Sequence, residues 1–289
     1  MTQARPLDCG VSAAATMGCL EITSVSLSSI SSWSVPMPLN ILHLTDCHLF
    51  RDADTELKGI CTRTAWLKGI AAIDSQFDQV DRLIVTGDFT HDDLPETYQP
   101  VRESLARWWS KTRLTIGNHD TRAGLWKHAS DRLEQAADRL VFRDSVGGWV
   151  LIGLDSHRPG EVIGELGAAQ REWLDQQLRR APGTPTALFF HHPPVEVGSA
   201  WMNEIALADR RELGQLLDRH PQVRVVVCGH VHHETSTLWG SRLVLTTPST
   251  AVQFVPVSTT LEVDSVPAGY RHLELHEDGR VFTRVVRLV

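Results

Sequence analysis

Residues 40–48 have the sequence Asn-Ile-Leu-His-Leu-Thr-Asp-Cys-His, in which a short apolar run ends in the polar pair Asp46 and His48. A run of this length is typical of a strand that is buried on both faces. Four later apolar runs also end in polar groups: Gly87-Asp88, Gly117-Asn118-His119-Asp120, His191-His192-Pro193 and Gly229-His230-Val231-His232. Buried strands that deliver polar side chains at their ends predict a layered α/β fold.

Longer amphipathic stretches alternate with these runs, as a layered α/β fold requires. The predicted strands are 40–45, 82–86, 113–116, 149–154, 186–190, 223–228, 243–246, 271–275 and 281–286. The predicted helices are 61–77, 95–110, 122–137, 168–180 and 209–219. Residues 193–208 and 248–270 are weakly periodic and longer than ordinary connections, which is typical of lid segments over a site.

The composition excludes several classes of protein. The chain has 289 residues, 42% hydrophobic and 22% charged, and no apolar run approaches the ~20 residues that span a bilayer. Lys and Arg number 28 against 35 Asp and Glu, a net charge of −7, and the basic residues are scattered. This pattern argues against a nucleic-acid polymer as partner, because such proteins carry a basic patch.

The cysteines and the first residues bear on the compartment and the domain bounds. Five cysteines, widely spaced and without a CxxC pair, favour a reducing, cytoplasmic environment over a disulfide framework or a zinc ribbon. Residues 1–36 are rich in Ser, Ala and Thr, and we interpret them as a disordered extension or a misassigned start before Met37, with a signal peptide less favoured. One domain is expected over residues 37–289.

If the strand ends meet at one sheet edge, they bring together three oxygen donors and four imidazoles. These are Asp46, Asp88 and Asn118 with His48, His191, His230 and His232. A mixed nitrogen and oxygen set suits Fe, Mn, Zn or Co, whereas Mg and Ca prefer oxygen alone. Seven side chains are too many for one ion. Two ions roughly 3.5–4 Å apart and bridged by a carboxylate can hold a hydroxide that is nucleophilic at neutral pH.

The complete series of motifs resembles that of the calcineurin-like metallophosphoesterases. The residues 45–50, the sequence Leu57-Lys58-Gly59-Ile60, and the ranges 248–254 and 267–271 further resemble the bacterial class III 3′,5′-cyclic AMP phosphodiesterases. The resemblance covers residues 38–287. It implies a four-layer α/β/β/α sandwich with two mixed sheets and a site for two divalent metal ions, Fe²⁺ or Mn²⁺ before Zn²⁺ or Co²⁺.

The resemblance also implies a role for each site residue. One metal ion would be held by Asp46, His48, Asp88 and His232, and the other by Asp88, Asn118, His191 and His230. The expected catalytic residues are His119, Asp88 and Asn118, of which His119 would contact the phosphate and assist the leaving oxygen. The expected substrate-binding residues are His48, Asp88, Asn118, His119 and His232. The implied reaction is attack by a metal-bridging hydroxide that converts 3′,5′-cyclic AMP to 5′-AMP.

Two other functions fit the same motifs. A phosphodiesterase or pyrophosphatase of this superfamily, acting on glycerophosphodiesters or nucleotide conjugates, would use the same metals and His119, with the lids deciding the substrate. A non-catalytic scaffold would keep the fold but lose ligands, and no ligand position is substituted here. The sequence leaves a homodimer open.

Several other residues have two interpretations. His43, inside the first strand, is interpreted as a hydrogen-bonded core histidine, and His91 as part of a turn or a helix cap. His192 and His233 adjoin ligand positions, where hydrogen-bonding support competes with simple packing. Trp201 lies in the first lid segment, where its ring could stack on a nucleobase or pack in the core.

Overall fold

The computed structural model of the chain describes residues 37–288, so the predictions for residues 1–36 lie outside it. The strands are β1 Leu39–Leu44, β2 Glu56–Leu57, β3 Ile60–Cys61, β4 Arg82–Thr86, β5 Thr112–Thr115, β6 Glu134–Ala136, β7 Arg139–Val146, β8 Trp149–Gly153, β9 Thr186–Phe189, β10 Val223–Cys228, β11 Thr235–Trp239, β12 Arg242–Thr246, β13 Gln253–Phe254, β14 Val263–Asp264, β15 Gly269–Leu275 and β16 Val281–Arg287. The α-helices are α1 Thr62–Gln76, α2 Tyr98–Ser104, α3 Arg122–Ala129, α4 Ala168–Arg179, α5 Ala200–Glu204 and α6 Arg210–Leu217.

The strands form two mixed sheets and two short hairpins. The first sheet has the order β16-β15-β1-β4-β5, in which β1, β4 and β5 are parallel. The second has the order β11-β12-β10-β9-β8-β7-β6, in which β12, β10, β9 and β8 are parallel. Strands β2 and β3 form one hairpin, and β13 and β14 form the other. The parallel strands bring the predicted strand-end motifs to the same edge of the molecule.

The core consists of three apolar layers. Leu42 and Leu44 of β1 pack against α1 and its neighbours, whereas Ile41 points to the other sheet, because side chains alternate along a strand. Val225 and Val227 of β10 likewise face the first sheet, and Val226 and Cys228 pack against α4 and α6. Helices thus cover the outer face of each sheet, and the predicted α/β/β/α sandwich is confirmed.

The helix predicted over 122–137 is wrong in its second half. The α-helix ends at Ala129, and Glu134–Ala136 is a strand that pairs with Arg139–Val141. The turn between the strands consists of Ala137 and Asp138, both with left-handed backbone (φ 51° and 59°), so the chain reverses in two residues. The helix predicted over 95–110 is also divided, with an α-helical part of only Tyr98–Ser104.

Strand β7 was absent from the prediction. Its residues Phe142–Val146 pair with β8, to which it is joined by Gly147 and Gly148, whose φ angles are 54° and 78°. A Gly-Gly pair between two runs is a hairpin signal that could have revealed this strand. Within residues 37–288, none of the helices is both long enough and apolar enough to cross a lipid bilayer.

Candidate metal centre

The backbone turns sharply where the strands deliver the site residues. Asp46, His48, Asp88, His230 and His232 all have left-handed φ angles, between 45° and 72°. Residues other than glycine rarely adopt this conformation, and such strain is concentrated at functional sites. Backbone hydrogen bonds hold the turns: the N–H of Asp46 donates to the carbonyl of Gly87 at 3.1 Å, joining the ends of β1 and β4.

One group of donors consists of Asp46, His48 and His232. Asp46 Oδ1 lies 3.3 Å from His232 Nε2 and 3.8 Å from His48 Nε2. The two ring nitrogens lie 3.0 Å apart. All three residues are buried, and their potential ligand atoms are close enough together to surround one cation.

A second group contains Asn118, His191 and His230. Asn118 Oδ1 lies 3.1 Å from His191 Nε2 and 3.0 Å from His230 Nδ1. Asp88 lies between the groups, because its Oδ2 is 3.5 Å from His48 Nε2 and 3.3 Å from His191 Nε2. The structure therefore brings together all seven side chains predicted as metal ligands.

Hydrogen bonds on the far side of the rings fix their orientation. His191 donates from Nδ1 to the carbonyl of Thr86 at 2.6 Å, and His232 donates from Nδ1 to the carbonyl of Val252 at 2.8 Å. Both Nε2 atoms then face the carboxylates, where each could bind a cation once it carries no proton. Metal-binding histidines are commonly oriented in this way.

The donor set fits divalent cations. Within the described residues, Asp46 Oδ1 and His230 Nε2 are buried without a hydrogen-bond partner, an arrangement that costs free energy unless a ligand satisfies them. Burial lowers the pKa of His230 to about 3, so its ring is neutral, the form that binds metals. Burial alone would lower the pKa of His191 as well, but Asp88 and Asp46 raise it to about 9. A cation would compete with that proton.

His119 lies beside the two groups at the wall of an open cavity of about 200 Å³. Its backbone N–H donates to Asp88 Oδ1 at 2.9 Å, and its side chain is partly exposed. The predicted substrate-binding residues His48, Asp88, Asn118, His119 and His232 all line this cavity. The predicted phosphate-contacting histidine is therefore accessible from the same space as the metal donors.

His91 belongs to the site, although the sequence suggested only a turn or cap. Its Nδ1 lies 3.2 Å from His48 Nδ1, and its ring stacks on that of His119 at 4.7 Å between centroids. Its N–H donates to the carbonyl of Leu49 at 2.9 Å, which holds the loop after β4 against the loop after β1. The sequence signal that could have placed His91 in the site is its position three residues after Asp88, in the loop at the end of a strand.

Both predicted lid segments contribute side chains to the cavity. Trp201 lies on α5 in the first segment, and Phe254 lies on β13 in the second. The Phe254 ring stacks on His232 with centroids 4.2 Å apart, and Trp201 meets Phe254 edge-on at 5.6 Å. Phe254 was not singled out in the sequence, because nothing separated it from other apolar lid residues. Residues 248–253 are buried, so the exposed part of the second segment begins beyond them.

The two histidines that adjoin ligand positions in sequence, His192 and His233, differ in their contacts. His192 makes hydrogen bonds through Nδ1 with Ser156 Oγ at 2.8 Å and through Nε2 with the carbonyl of Val162 at 3.0 Å, and Val162 lines the cavity. It therefore supports a loop at the cavity wall. His233 is buried, and its ring nitrogens have no hydrogen-bond partner within the described residues, which favours packing.

Comparison with known proteins decides the family. Residues 39–234 match the calcineurin-like phosphoesterases. The chain belongs to this family. The 3′,5′-cyclic adenosine monophosphate phosphodiesterase CpdA of Escherichia coli is 34% identical over 250 residues, covering 86% of this chain and 90% of that protein. A 3′,5′-cyclic-nucleotide phosphodiesterase of Nostoc is 33% identical and covers 87% of this chain and 93% of that protein.

Two solved structures share the fold at low sequence identity. A dimetal phosphatase from Danio rerio superposes with a TM-score of 0.63 at 16% identity, over 87% of this chain and all of that one. A purple acid phosphatase from yellow lupin superposes with a TM-score of 0.64 at 12% identity, over 86% of this chain and 51% of that one. The predicted family is confirmed, and family and relatives together identify a metal-dependent phosphodiesterase.

Proposed function

We propose that this protein hydrolyses 3′,5′-cyclic AMP to 5′-AMP at a centre of two divalent metal ions. The substrate is supported by the names of relatives that align over most of the chain. The dinuclear centre is supported above all by Asp88. Its Oδ2 faces a ring nitrogen of each donor group, His48 at 3.5 Å and His191 at 3.3 Å, which is the position of a ligand shared by two ions.

The proposed ligands divide as the motifs predict. One ion would be held by Asp46, His48, Asp88 and His232. The other ion would be held by Asp88, Asn118, His191 and His230. The mixed donors favour Fe²⁺ or Mn²⁺, with Zn²⁺ or Co²⁺ as alternatives. Bound there, the ions would neutralise charge on the phosphodiester oxygens and lower the pKa of a water molecule.

The side chains around the centre would complete the reaction. Hydrolysis forms a bond from the water oxygen to phosphorus and breaks the bond from phosphorus to O3′, which needs a proton. His119 lines the cavity next to the donors, and we assign it that proton transfer to O3′. Its N–H bond to Asp88 and the stacked ring of His91 hold it in place.

The lid side chains in the cavity suit a purine. Trp201, Phe254 and Leu261 from the lids line the same cavity as the metal donors, as does Leu57. Flat aromatic rings next to a phosphate site can stack on a nucleobase. The adenine would lie between the lids, with its cyclic phosphate towards Asn118 and His119.

The test is hydrolysis by protein reconstituted with Mn²⁺, and with Fe²⁺ under anaerobic conditions. The substrates are 3′,5′-cyclic AMP, 2′,3′-cyclic AMP, glycerophosphocholine, bis(p-nitrophenyl) phosphate and p-nitrophenyl phosphate, with products separated by chromatography. We expect the highest kcat/KM for 3′,5′-cyclic AMP and 5′-AMP as sole product. Preferred cleavage of glycerophosphocholine would be consistent with the proposed metal centre but would contradict 3′,5′-cyclic AMP as the substrate. Absence of any hydrolysis by metal-loaded protein would favour a scaffold.

Matched variants separate catalysis from folding. His119→Ala is expected to lower kcat by about 10²- to 10⁴-fold while metal content stays unchanged. The control is His276→Ala, which removes a histidine that packs on Phe282 and does not line the cavity. If both variants keep full activity, the role assigned to His119 is wrong.

A further inference from the structure

His43 is a fully buried histidine between the two sheets that the mechanism above does not use. It lies on β1, three residues before Asp46, and both of its ring nitrogens face threonine hydroxyls. Nδ1 is 2.6 Å from Thr247 Oγ1, at the end of β12, and Nε2 is 2.8 Å from Thr86 Oγ1, at the end of β4. The ring therefore joins strands of both sheets directly behind the metal donors.

The hydrogen bonds around His43 can run in only one direction. Thr45 Oγ1 donates to Asp46 Oδ2 at 2.6 Å, because a carboxylate is the stronger acceptor, and Thr86 Oγ1 donates to Thr45 Oγ1 at 3.0 Å. The Thr86 hydroxyl has then used its hydrogen, so it accepts from His43 Nε2–H. His43 Nδ1 must accept the hydrogen of Thr247, which gives a neutral ring with its proton on Nε2.

This chain of hydrogen bonds ends on two proposed metal ligands. Asp46 Oδ2 receives the Thr45 hydroxyl and the N–H of His230 at 3.0 Å, so Oδ1 remains to face the imidazoles. The carbonyl of Thr86 receives His191 Nδ1–H at 2.6 Å. A shift of Thr86 or Thr45 would therefore move one ligand from each donor group.

The surroundings keep the His43 ring neutral. Burial, reinforced by Arg271, lowers the pKa of His43 to about 3. Arg271 donates to the carbonyl of Thr246 at 2.6 Å and so fixes the strand end that carries Thr247. A neutral ring is the form that the direction of the hydrogen bonds requires.

We propose that His43 is a positioning residue for the metal centre: its ring orders the hydrogen bonds from Thr247 to Asp46 and thereby sets the orientation of Asp46 and His191. The inference rests on the proposed function, because it assumes that these two residues bind metal. It predicts that His43 affects metal affinity without touching the metal ions or the substrate.

The test measures the affinity of the full chain for Mn²⁺ by competition with a chelator, beside the absorption spectrum of the Co²⁺-loaded protein. His43→Leu should weaken binding by about 10- to 100-fold and alter the Co²⁺ spectrum. His43→Gln should recover most of the affinity, because its amide offers a donor and an acceptor in place of the two ring nitrogens. Thr247→Val, which removes one hydroxyl, should have a smaller effect of the same kind.

The control is His272→Leu, a buried histidine of the same sheet that bonds to Asn40 and packs on Phe77, away from the centre. It should lower the melting temperature without changing metal affinity. Wild-type affinity in His43→Leu, or in Thr247→Val if the leucine variant does not fold, would overturn the inference alone. Failure of the wild-type chain to bind metal would overturn the proposed function as well.

Discussion

Asp120 accepts a hydrogen bond of 2.8 Å from the backbone N–H of Asp88 through its Oδ2. The same oxygen accepts the N–H of Gly117 at 2.9 Å, and Oδ1 accepts the N–H of Phe89 at 3.0 Å. One buried carboxylate thus joins the loops after β4 and β5. It holds Asp88 in its left-handed conformation between the two donor groups.

Replacing Asp120 tests this role. Both carboxylate oxygens of Asp120 accept backbone N–H groups. In Asp120→Asn the amide nitrogen must take the place of one of these oxygens, in either orientation of the side chain. The backbone N–H groups that face this nitrogen then have no acceptor in a buried position. We expect a loss of about 1–3 kcal/mol in the free energy of unfolding, with weaker Mn²⁺ binding. Urea denaturation and chelator competition measure the two effects. Asp131→Asn, on the surface, is the control, and equal behaviour of the two variants would refute the role of Asp120.

Gly229 allows the end of β10 to approach the end of β1. A Cβ atom at this position would overlap Thr45 Oγ1 and lie 2.7 Å from Asp46 Oδ2. Gly229→Ala should therefore displace Asp46, lower stability by about 1–3 kcal/mol and reduce metal content. In the control Gly69→Ala, the added carbon would meet only the end of the Leu288 side chain at 3.3 Å, in the middle of α1. Full metal content in Gly229→Ala would contradict the prediction.

Trp201 should contribute to recognition of the purine and little to the chemical step. Trp201→Leu is expected to raise KM for 3′,5′-cyclic AMP by about 3- to 10-fold, the effect of one lost aromatic stack, with a smaller change in kcat. KM for bis(p-nitrophenyl) phosphate, which has no purine, should change less. Val257→Ala alters an exposed residue of the other lid and serves as the control. Equal effects on both substrates would rule out base stacking at Trp201.

An ion-pair cluster joins the two sheets at Asp144. Arg82 donates from Nε to Asp144 Oδ2 at 2.5 Å, and Arg113 Nη2 lies 2.8 Å from the same oxygen. Burial alone would raise the pKa of Asp144, but the hydrogen bonds from Arg82 and the charge of Arg113 outweigh it and lower the pKa. Asp144 therefore stabilises the fold above the pKa of an unfolded aspartate, about 3.9, and this contribution is lost as pH falls through its lower, folded pKa.

Asp144→Asn should lower the free energy of unfolding by about 1.5–3 kcal/mol at pH 7. The difference from wild type should begin to shrink as pH falls below about 4, because Asp144 of the unfolded wild-type chain is then protonated, and it should disappear only below the lower pKa of the folded state. Urea denaturation at both pH values, with a chelator present throughout, measures the difference without a contribution from metal loss. A difference that stays constant between pH 7 and pH 3 would exclude this assignment.

The strands that carry the site were predictable because their sequence patterns are local. Val223–Cys228 and Arg82–Thr86 are apolar runs bounded by polar residues and glycine, and the structure has these bounds. Parallel pairing then places their ends at one edge, so the seven donors could be grouped from sequence. The helix predicted to reach residue 137 failed because its last residues pair with β7, a contact that helical periodicity does not reveal.

The surroundings of the donors were less predictable, because they depend on contacts between distant segments. His91 meets His48 across 43 residues, and His43 meets Thr247 across 204. The prediction that His43 is a hydrogen-bonded core histidine is confirmed, but its partners and their connection to Asp46 required the structure. Phe254 stacks on His232 because of the conformation of the second lid segment, and no sequence pattern in residues 248–270 predicts that conformation.

The most direct test of the dinuclear centre is anomalous diffraction from crystals of the protein grown with Mn²⁺. The account predicts two peaks at the shared edge of the sheets, one beside Asp46, His48 and His232, the other beside Asn118, His191 and His230, with Asp88 in contact with both. A single peak, peaks at other residues, or none at saturating Mn²⁺ would contradict it.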